Sequence, residues 1–357
     1  MRVLQLIDSL EAGGAERMAV NMANMLTQTT QGSYLCATRK EGLLKASLSP
    51  EVSYLFLNKK RQIDWSAMIE LRRYLLKEQI DIIHAHSTSF FMATLMKWLI
   101  PGLKIVWHDH YGDSGYLENR KYGVLKFCSR SFSLILSVNR VLETWAKKNL
   151  NCKNVAYLSN FAIQESEMPK VTQLKGIQGK RLLCLANLRA QKDHHNLLNA
   201  FKLILEHHPD WSLHCVGQDF KDSYSESVYQ LVAELDLGHQ VFFYGSCSDS
   251  SAIIQQADIG ILSSSSEGLP LALLEYGLGQ LPIVATNVGD CSSVFPEVCQ
   301  GFLVAPNHSE QLAERVMDLI SDQHMRGTTS KMINRHVLEQ FSAKAVKDKL
   351  LSFYSQL

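Results

Sequence analysis

The chain has 357 residues, 46% of them hydrophobic and 20% charged, and a formal net charge of +1. That balance describes a globular chain long enough for two domains and gives no reason to expect nucleic-acid binding. Its eight cysteines show no CxxC spacing, which speaks against the common zinc and redox motifs and for a reducing cytoplasm.

The chain enters directly on a strand, residues 3–7, without the cationic stretch and cleavage site of a secretion signal. The loop after it, DSLEAGGAERMAV, places Gly13 and Gly14 before an amphipathic helix, where glycine permits close backbone approach to an anion. An ordinary tight loop is the alternative, and the lack of G-x-G-x-x-G counts against a nicotinamide enzyme. Further strands are expected at 33–38, 52–57, 81–86, 104–107, 133–137 and 155–158, separated by helical patterns. The basic stretch 59–77, with Arg61, Trp65, Arg72 and Arg73, suits either a solvated helix face or an anionic membrane surface. The longest apolar run, FFMATLMKWLI at 90–100, is too short to span a bilayer and contains Lys97. One strand ends DIIHAHS and the next VWHDHYGD. The two-residue period of a strand puts His84 and His86 on one side, and likewise His108 and His110 if their strand persists. Four histidines at neighbouring strand ends raise zinc, but their spacing fits no usual zinc pattern, and no metal is expected.

Residues 164–180, polar with one Pro and two Gly, read as a linker between domains at 1–163 and 181–340. Strands then recur at 181–186, 212–216, 241–244, 258–263, 282–286 and 301–304. Alternation of this kind predicts an α/β protein with two doubly wound parallel sheets, their strand carboxyl ends on opposite walls of one cleft. In ADIGILSSSSEGLPLALLEY a strand leads through a loop to a helix whose first turn suits Pro270. Gly268 and Leu269 fall where free N–H groups and the helix dipole favour phosphate. Glu275, inside an apolar helix, is a costly buried charge unless hydroxyl groups meet it; Glu267 alone reads as a solvated loop residue or as a ligand contact. Residues 341–357 form an amphipathic helix with Val346, Leu350, Leu351 and Tyr354 on one stripe.

The motif E-G-L-P followed by L-L-E, with Glu267 and Glu275 separated by seven residues, resembles the signature of retaining glycosyltransferases of GT-B fold, family 4 or group 1. The resemblance spans almost the whole chain. It implies two Rossmann-like domains facing across a cleft, an N-terminal acceptor domain and a C-terminal nucleotide-sugar domain, with helix 341–357 crossing back to the first. It implies that Glu275 binds the ribose, Glu267 the donor sugar, and Gly268 and Leu269 the diphosphate, which Gly13 and Gly14 also approach. Glu16, after the glycines, is an acceptor-side candidate, with compensation of the helix dipole as the alternative. A histidine after the fifth strand stands near the transferred sugar in the family, which favours His110, with His108 as runner-up and His86 lining the acceptor pocket. Cations that steady a departing diphosphate are assigned to Lys192, which matches the family's lysine, and to Arg189. Asn187 stands where the family's arginine is usual, and a solvated Arg189 is the alternative.

The expected activity is therefore transfer of a sugar from a nucleotide diphosphate sugar to a glycan or lipid-linked glycan, without metal or organic cofactor, in cell-surface polysaccharide synthesis. The expected place is the cytoplasm, or the inner face of the cell membrane through peripheral contact. The rivals are a GT-B sugar-nucleotide epimerase or glycan phosphorylase, and a non-catalytic GT-B partner subunit.

Overall fold

The computed structural model describes residues 1–11, 13–112, 117–163 and 171–357. They divide into two compact units, Met1–Asn160 with Ala343–Leu357, and Phe161–Ser342.

In the first unit the chain runs β1 (Arg2–Ser9), α1 (Gly14–Leu26), β2 (Gly32–Lys40), β3 (Ser53–Phe56), α2 (Trp65–Lys77), β4 (Ile82–His86), α3 (Phe90–Leu99), β5 (Lys104–Asp109), α4 (Gly123–Cys128), β6 (Leu134–Ser137), α5 (Arg140–Asn149) and β7 (Val155–Tyr157). The strands are parallel and ordered β3-β2-β1-β4-β5-β6-β7. Their near-continuous apolar runs follow from burial on both faces: Val3, Leu4, Leu6, Ile83 and Ile105 have no exposed surface. Side-chain caps set the starts of two helices, Asp64 accepting from Ala67 N at α2 and Asn139 from Leu142 N at α5. The order reverses between β1 and β4, which opens a crevice at their carboxyl ends.

The second unit repeats the plan: β8 (Arg181–Leu185), α6 (His194–His207), β9 (Ser212–Val216), α7 (Ser223–Glu234), β10 (Val241–Phe243), α8 (Ser250–Ile254), β11 (Ile259–Leu262), α9 (Leu271–Leu278), β12 (Ile283–Thr286), β13 (Leu303–Val304), α10 (Ser309–Ser321) and α11 (Gln323–Phe341). Its parallel order is β10-β9-β8-β11-β12-β13, so its reversal lies between β8 and β11. The last helix, α12 (Ala343–Ser355), belongs to the first unit and buries Val346, Leu350 and Tyr354 there.

Every expected strand is present, with ends shifted by a residue or two. At β13 a 3-10 turn over Glu297–Phe302 takes the residues expected to open the strand. The terminal helix starts at Ala343 because the backbone of Ser342 bridges to Ala162. The division falls at Asn160, earlier than expected, and residues 171–180 are no free linker. Val171 N and Thr172 N donate to Asp249 (2.9 and 2.7 Å), and Leu174, 5% exposed, joins the apolar core. The rest of that expected linker, 164–170, lies outside the described residues.

Candidate functional site

In the second unit the residues singled out by the sequence gather where β8 and β11 end. The run of four serines after β11 is a set of clamps. Ser263 Oγ donates to the Lys192 carbonyl (2.9 Å) and Ser265 N to that of Gln191 (2.9 Å), tying the loop after β8 to the end of β11. Thr286 Oγ1 donates to the Ser264 carbonyl (2.6 Å) from the β12 side. On this frame Lys192 Nζ and Ser264 Oγ both donate to Glu267 Oε1, at 2.5 and 2.6 Å. Glu267 is 5% exposed, so the solvated-loop alternative for it does not hold. Its donors compensate the loss of water.

Gly289 crosses over the same loop at φ +56, and a Cβ there would lie 2.1 Å from the Glu267 carbonyl oxygen. Glycine alone permits that conformation and that approach. Asp290 N then donates to the Gly268 carbonyl (2.8 Å), which fixes the EGLP turn from outside. Helix α9 begins at Leu271 with Pro270 as N-cap, and no side chain caps it. Its first-turn N–H groups carry the positive end of the dipole. Gly268 and Leu269, expected to present that end outward, are themselves buried. Glu275 on α9 is half-buried, less deeply than an apolar helix suggested.

Asn187 and Arg189 are placed differently from Lys192. Asn187 Oδ1 accepts from Gln218 N (2.7 Å), joining the turns after β8 and β9. Arg189 is exposed, its guanidinium 4.5 Å from the centroid of the Phe220 ring.

In the first unit Gly13 caps α1 in an extended conformation, and a Cβ on Gly14 would meet nothing within 4 Å. Packing within this unit therefore does not demand glycine at position 14. Glu16 Oε1 accepts from Ser9 Oγ (3.5 Å) in the first turn of α1, where a carboxylate complements the dipole.

Four histidines assemble at the ends of β4 and β5. His84 Nε2 lies 3.1 Å from His108 Nδ1, and His86 Nδ1 lies 3.0 Å from His110 Nε2. The far nitrogen of His84 meets the hydroxyl of Tyr354 on α12 (2.5 Å), and that of His86 meets Gln5 Oε1 on β1 (2.8 Å). Burial lowers the pKa of all four, that of His110 to about 3, so they are neutral. His86 and His108 have no exposed surface, which corrects the placing of His86 on an acceptor pocket and leaves half-buried His110 as the outermost ring. Nitrogens of His84, His86 and His108 lie within 4.8 Å of one another, near enough to gather round a metal ion. The His84 and His86 rings, however, are stacked 5° from parallel. A bound metal lies in the plane of each imidazole that holds it, so rings stacked in this way would have to turn before both could hold one ion.

Between the two strand-end histidines of β5, Asp109 forms a two-pronged ion pair with Arg120 (2.7 and 2.8 Å), the side chains 1% and 8% exposed. The guanidinium lies 4.3 Å from the ring centroids of both Tyr111 and Trp145. Sequence reading missed this clamp, the serine clamps, Gly289 and Gln5. Gln5 left one signal, a lone polar residue inside an apolar strand.

Two family models match the chain, one described as Glycosyltransferase Family 4 over residues 12–162 and one as Glycosyl transferases group 1 over residues 170–336. The chain is 22% identical over 311 residues to a UDP-Gal:alpha-D-GlcNAc-diphosphoundecaprenol alpha-1,3-galactosyltransferase of Escherichia coli, covering 82% of this chain and 79% of the relative. It is also 22% identical to the O-antigen biosynthesis glycosyltransferase WbnH of Escherichia coli, covering 97% and 98%. Among solved structures, Anabaena Alr3699/HepE in complex with UDP and glucose superposes with a TM-score of 0.81 at 16% identity, over 100% of both chains.

Proposed function

Since the chain belongs to the group 1, family 4 glycosyltransferases of GT-B fold, we propose that it transfers a sugar from a nucleotide diphosphate sugar to an acceptor hydroxyl with retention of anomeric configuration. The observation that carries this is the buried Lys192–Glu267 pair at the end of β11, with Glu275 following on α9. A diphosphate matches the cation, and sugar and ribose hydroxyls match the two carboxylates. In the proposed reaction Lys192 steadies the departing diphosphate, with Arg189 as a second cation and Asn187 bracing the loop. The α9 N-terminus, with Gly268 and Leu269 behind it, holds the phosphates. Glu267 takes hydroxyls of the donor sugar, and Glu275 those of the ribose. From the first unit the backbone of Gly13 and Gly14 is assigned to the diphosphate, only Gly14 having open space around it, and His110 to the transferred sugar, with His86 and His108 buried beside it.

No side chain is assigned as a covalent nucleophile. The bond from the anomeric carbon to the phosphate oxygen breaks as the acceptor oxygen bonds on the same face, and the acceptor proton passes to the departing diphosphate. Protein cations neutralise that group, so neither metal nor organic cofactor enters the proposal, which turnover unchanged by a chelator would support.

The UDP-bound neighbour and the relative named for a diphosphoundecaprenol substrate support a UDP-sugar donor and a lipid-linked glycan acceptor in cell-surface polysaccharide synthesis. None of the described helices is long and apolar enough to cross a membrane. Peripheral contact is assigned to α2, which exposes Trp65 (71%) and Ile69 (50%) beside Arg72 and Arg73; flotation with anionic vesicles tests it. The deciding experiment is sugar transfer and donor hydrolysis screened over UDP-, GDP- and ADP-sugars, with the product anomer read by NMR. Inverted product refutes retention, and isomerisation of the donor without acceptor would move the assignment to an epimerase. Within this scheme Glu275→Gln weakens nucleotide binding by about 1 to 3 kcal/mol, the value of a charge-assisted hydrogen bond. Calorimetry on the folded variant checks it, and unchanged affinity removes Glu275 from the site.

A further inference from the structure

We propose that Gln5 and His86 are positioning residues that fix the tautomer of His110, holding its proton on Nε2 and leaving Nδ1 as a bare acceptor for a hydroxyl. The inference rests on His110 being the histidine at the transferred sugar.

The order of donors follows from one amide. Gln5 Oε1 can only accept, so the His86 Nε2 that faces it at 2.8 Å carries the proton. A neutral imidazole has one N–H, which leaves His86 Nδ1 bare. The only proton available to the 3.0 Å contact between that atom and His110 must then come from His110 Nε2. His110 Nδ1 is left with its lone pair.

The amide orientation agrees with the second row of histidines. Gln5 Nε2 faces the Tyr354 hydroxyl, though it reaches no partner in hydrogen-bond geometry. A hydroxyl that receives an N–H from that side has its own proton free for His84 Nδ1, 2.5 Å away. His84 Nε2 then donates to His108 Nδ1 (3.1 Å), and His108 Nε2 keeps its proton towards the Leu158 carbonyl, again short of hydrogen-bond geometry. Reversing the amide would reverse both rows and put the proton of His110 on Nδ1, so the tautomer of His110 reads the amide orientation directly. Gln5, His84, His86, His108 and Tyr354 are all buried, so water does not compete for these contacts.

The test is long-range proton–nitrogen NMR of the whole chain labelled with 15N-histidine, which reads the protonated nitrogen of each ring directly. The expected result is Nε2–H at His86 and at His110. An Nδ1–H tautomer at His110 in the unaltered protein overturns the proposal without any variant being needed. So does a zinc ion that survives dialysis and is lost in His86→Ala, since a metal would take the bare nitrogens.

Gln5→Leu, checked for folding by its melting curve, removes the acceptor. His110 should then populate both tautomers, and kcat should fall about tenfold, the scale of one misdirected hydrogen bond, with a smaller change in the donor KM. An unchanged tautomer and kcat in that variant overturn the proposal. Tyr354→Phe removes the hydroxyl that Gln5 Nε2 faces while Gln5 Oε1 keeps His86, so the His110 tautomer should stay as it is; a shift there would show that Tyr354 rather than Gln5 sets the order of donors and would overturn the proposal. Normal turnover in His110→Ala, with the expected tautomer in the unaltered protein, would remove His110 from catalysis and leave the relay standing.

Discussion

Lys192→Ala lowers kcat by about a hundredfold or more, the loss seen when a group that stabilises developing charge is removed. Donor affinity falls less, because the N-terminus of α9 still holds phosphate. The structure adds a stability effect that the sequence did not suggest. Lys192 donates, together with Ser264, to a carboxylate that is 5% exposed, so its removal takes the cationic partner from a buried acid. The expected cost is about 2 kcal/mol, below the range for a wholly buried pair because the Lys192 side chain is 20% exposed. Adding Glu267→Gln to Lys192→Ala should restore the melting temperature but not turnover, which separates the electrostatic role from the structural one. Steady-state nucleotide release with acceptor, beside thermal melts, measures both. Near-normal kcat in Lys192→Ala would refute the assignment. A larger defect in Arg189→Ala would move the cationic role to the residue that rests on Phe220.

Acidification should destabilise the first unit steeply. Its four clustered histidines have folded pKa values depressed by burial, His110 to about 3 and the other three well below the usual value, whereas in the unfolded chain they titrate near 6.5. The unfolded chain therefore binds more protons as pH falls. The stability due to neutral burial is complete above about pH 6.5 and is lost below it, at about 1.4 kcal/mol per pH unit for each histidine until the folded pKa is reached. The melting temperature should therefore fall as pH drops from 7 to 5, since each of the four contributes in the same direction. Melting curves taken across that interval check the slope. A flat melting temperature down to pH 5 would mean that the histidines are protonated within the fold, against their present geometry.

The fold was legible because parallel strands buried on both faces write themselves as short apolar runs between turn residues. Ends were less legible, since a 3-10 turn and a strand share the same apolar residues at 301–304. In the site, the EGLP turn and Lys192 were visible because charges and glycine next to an apolar helix are locally improbable. What surrounds them was hidden by distance along the chain. The bond from Ser263 to the Lys192 carbonyl joins residues 71 apart, and that from His84 to Tyr354 joins residues 270 apart. Neither leaves a periodicity to read. The histidines illustrate the limit from the other side: their shared face followed from the strand period, while their burial followed from β1, β6 and α12, which no local pattern names.

The hydroxyl that Tyr354 lends to His84 has a consequence for how the molecule is made. The first unit takes a piece of its core from a helix that the ribosome delivers only after the entire second unit. Until then a nascent chain holding residues 1–160 exposes the apolar seat of Val346 and Leu350 and lacks the Tyr354 partner of His84. Domain-by-domain folding during synthesis, the usual order for a multidomain chain, therefore leaves the first domain short of one helix until the second has been made.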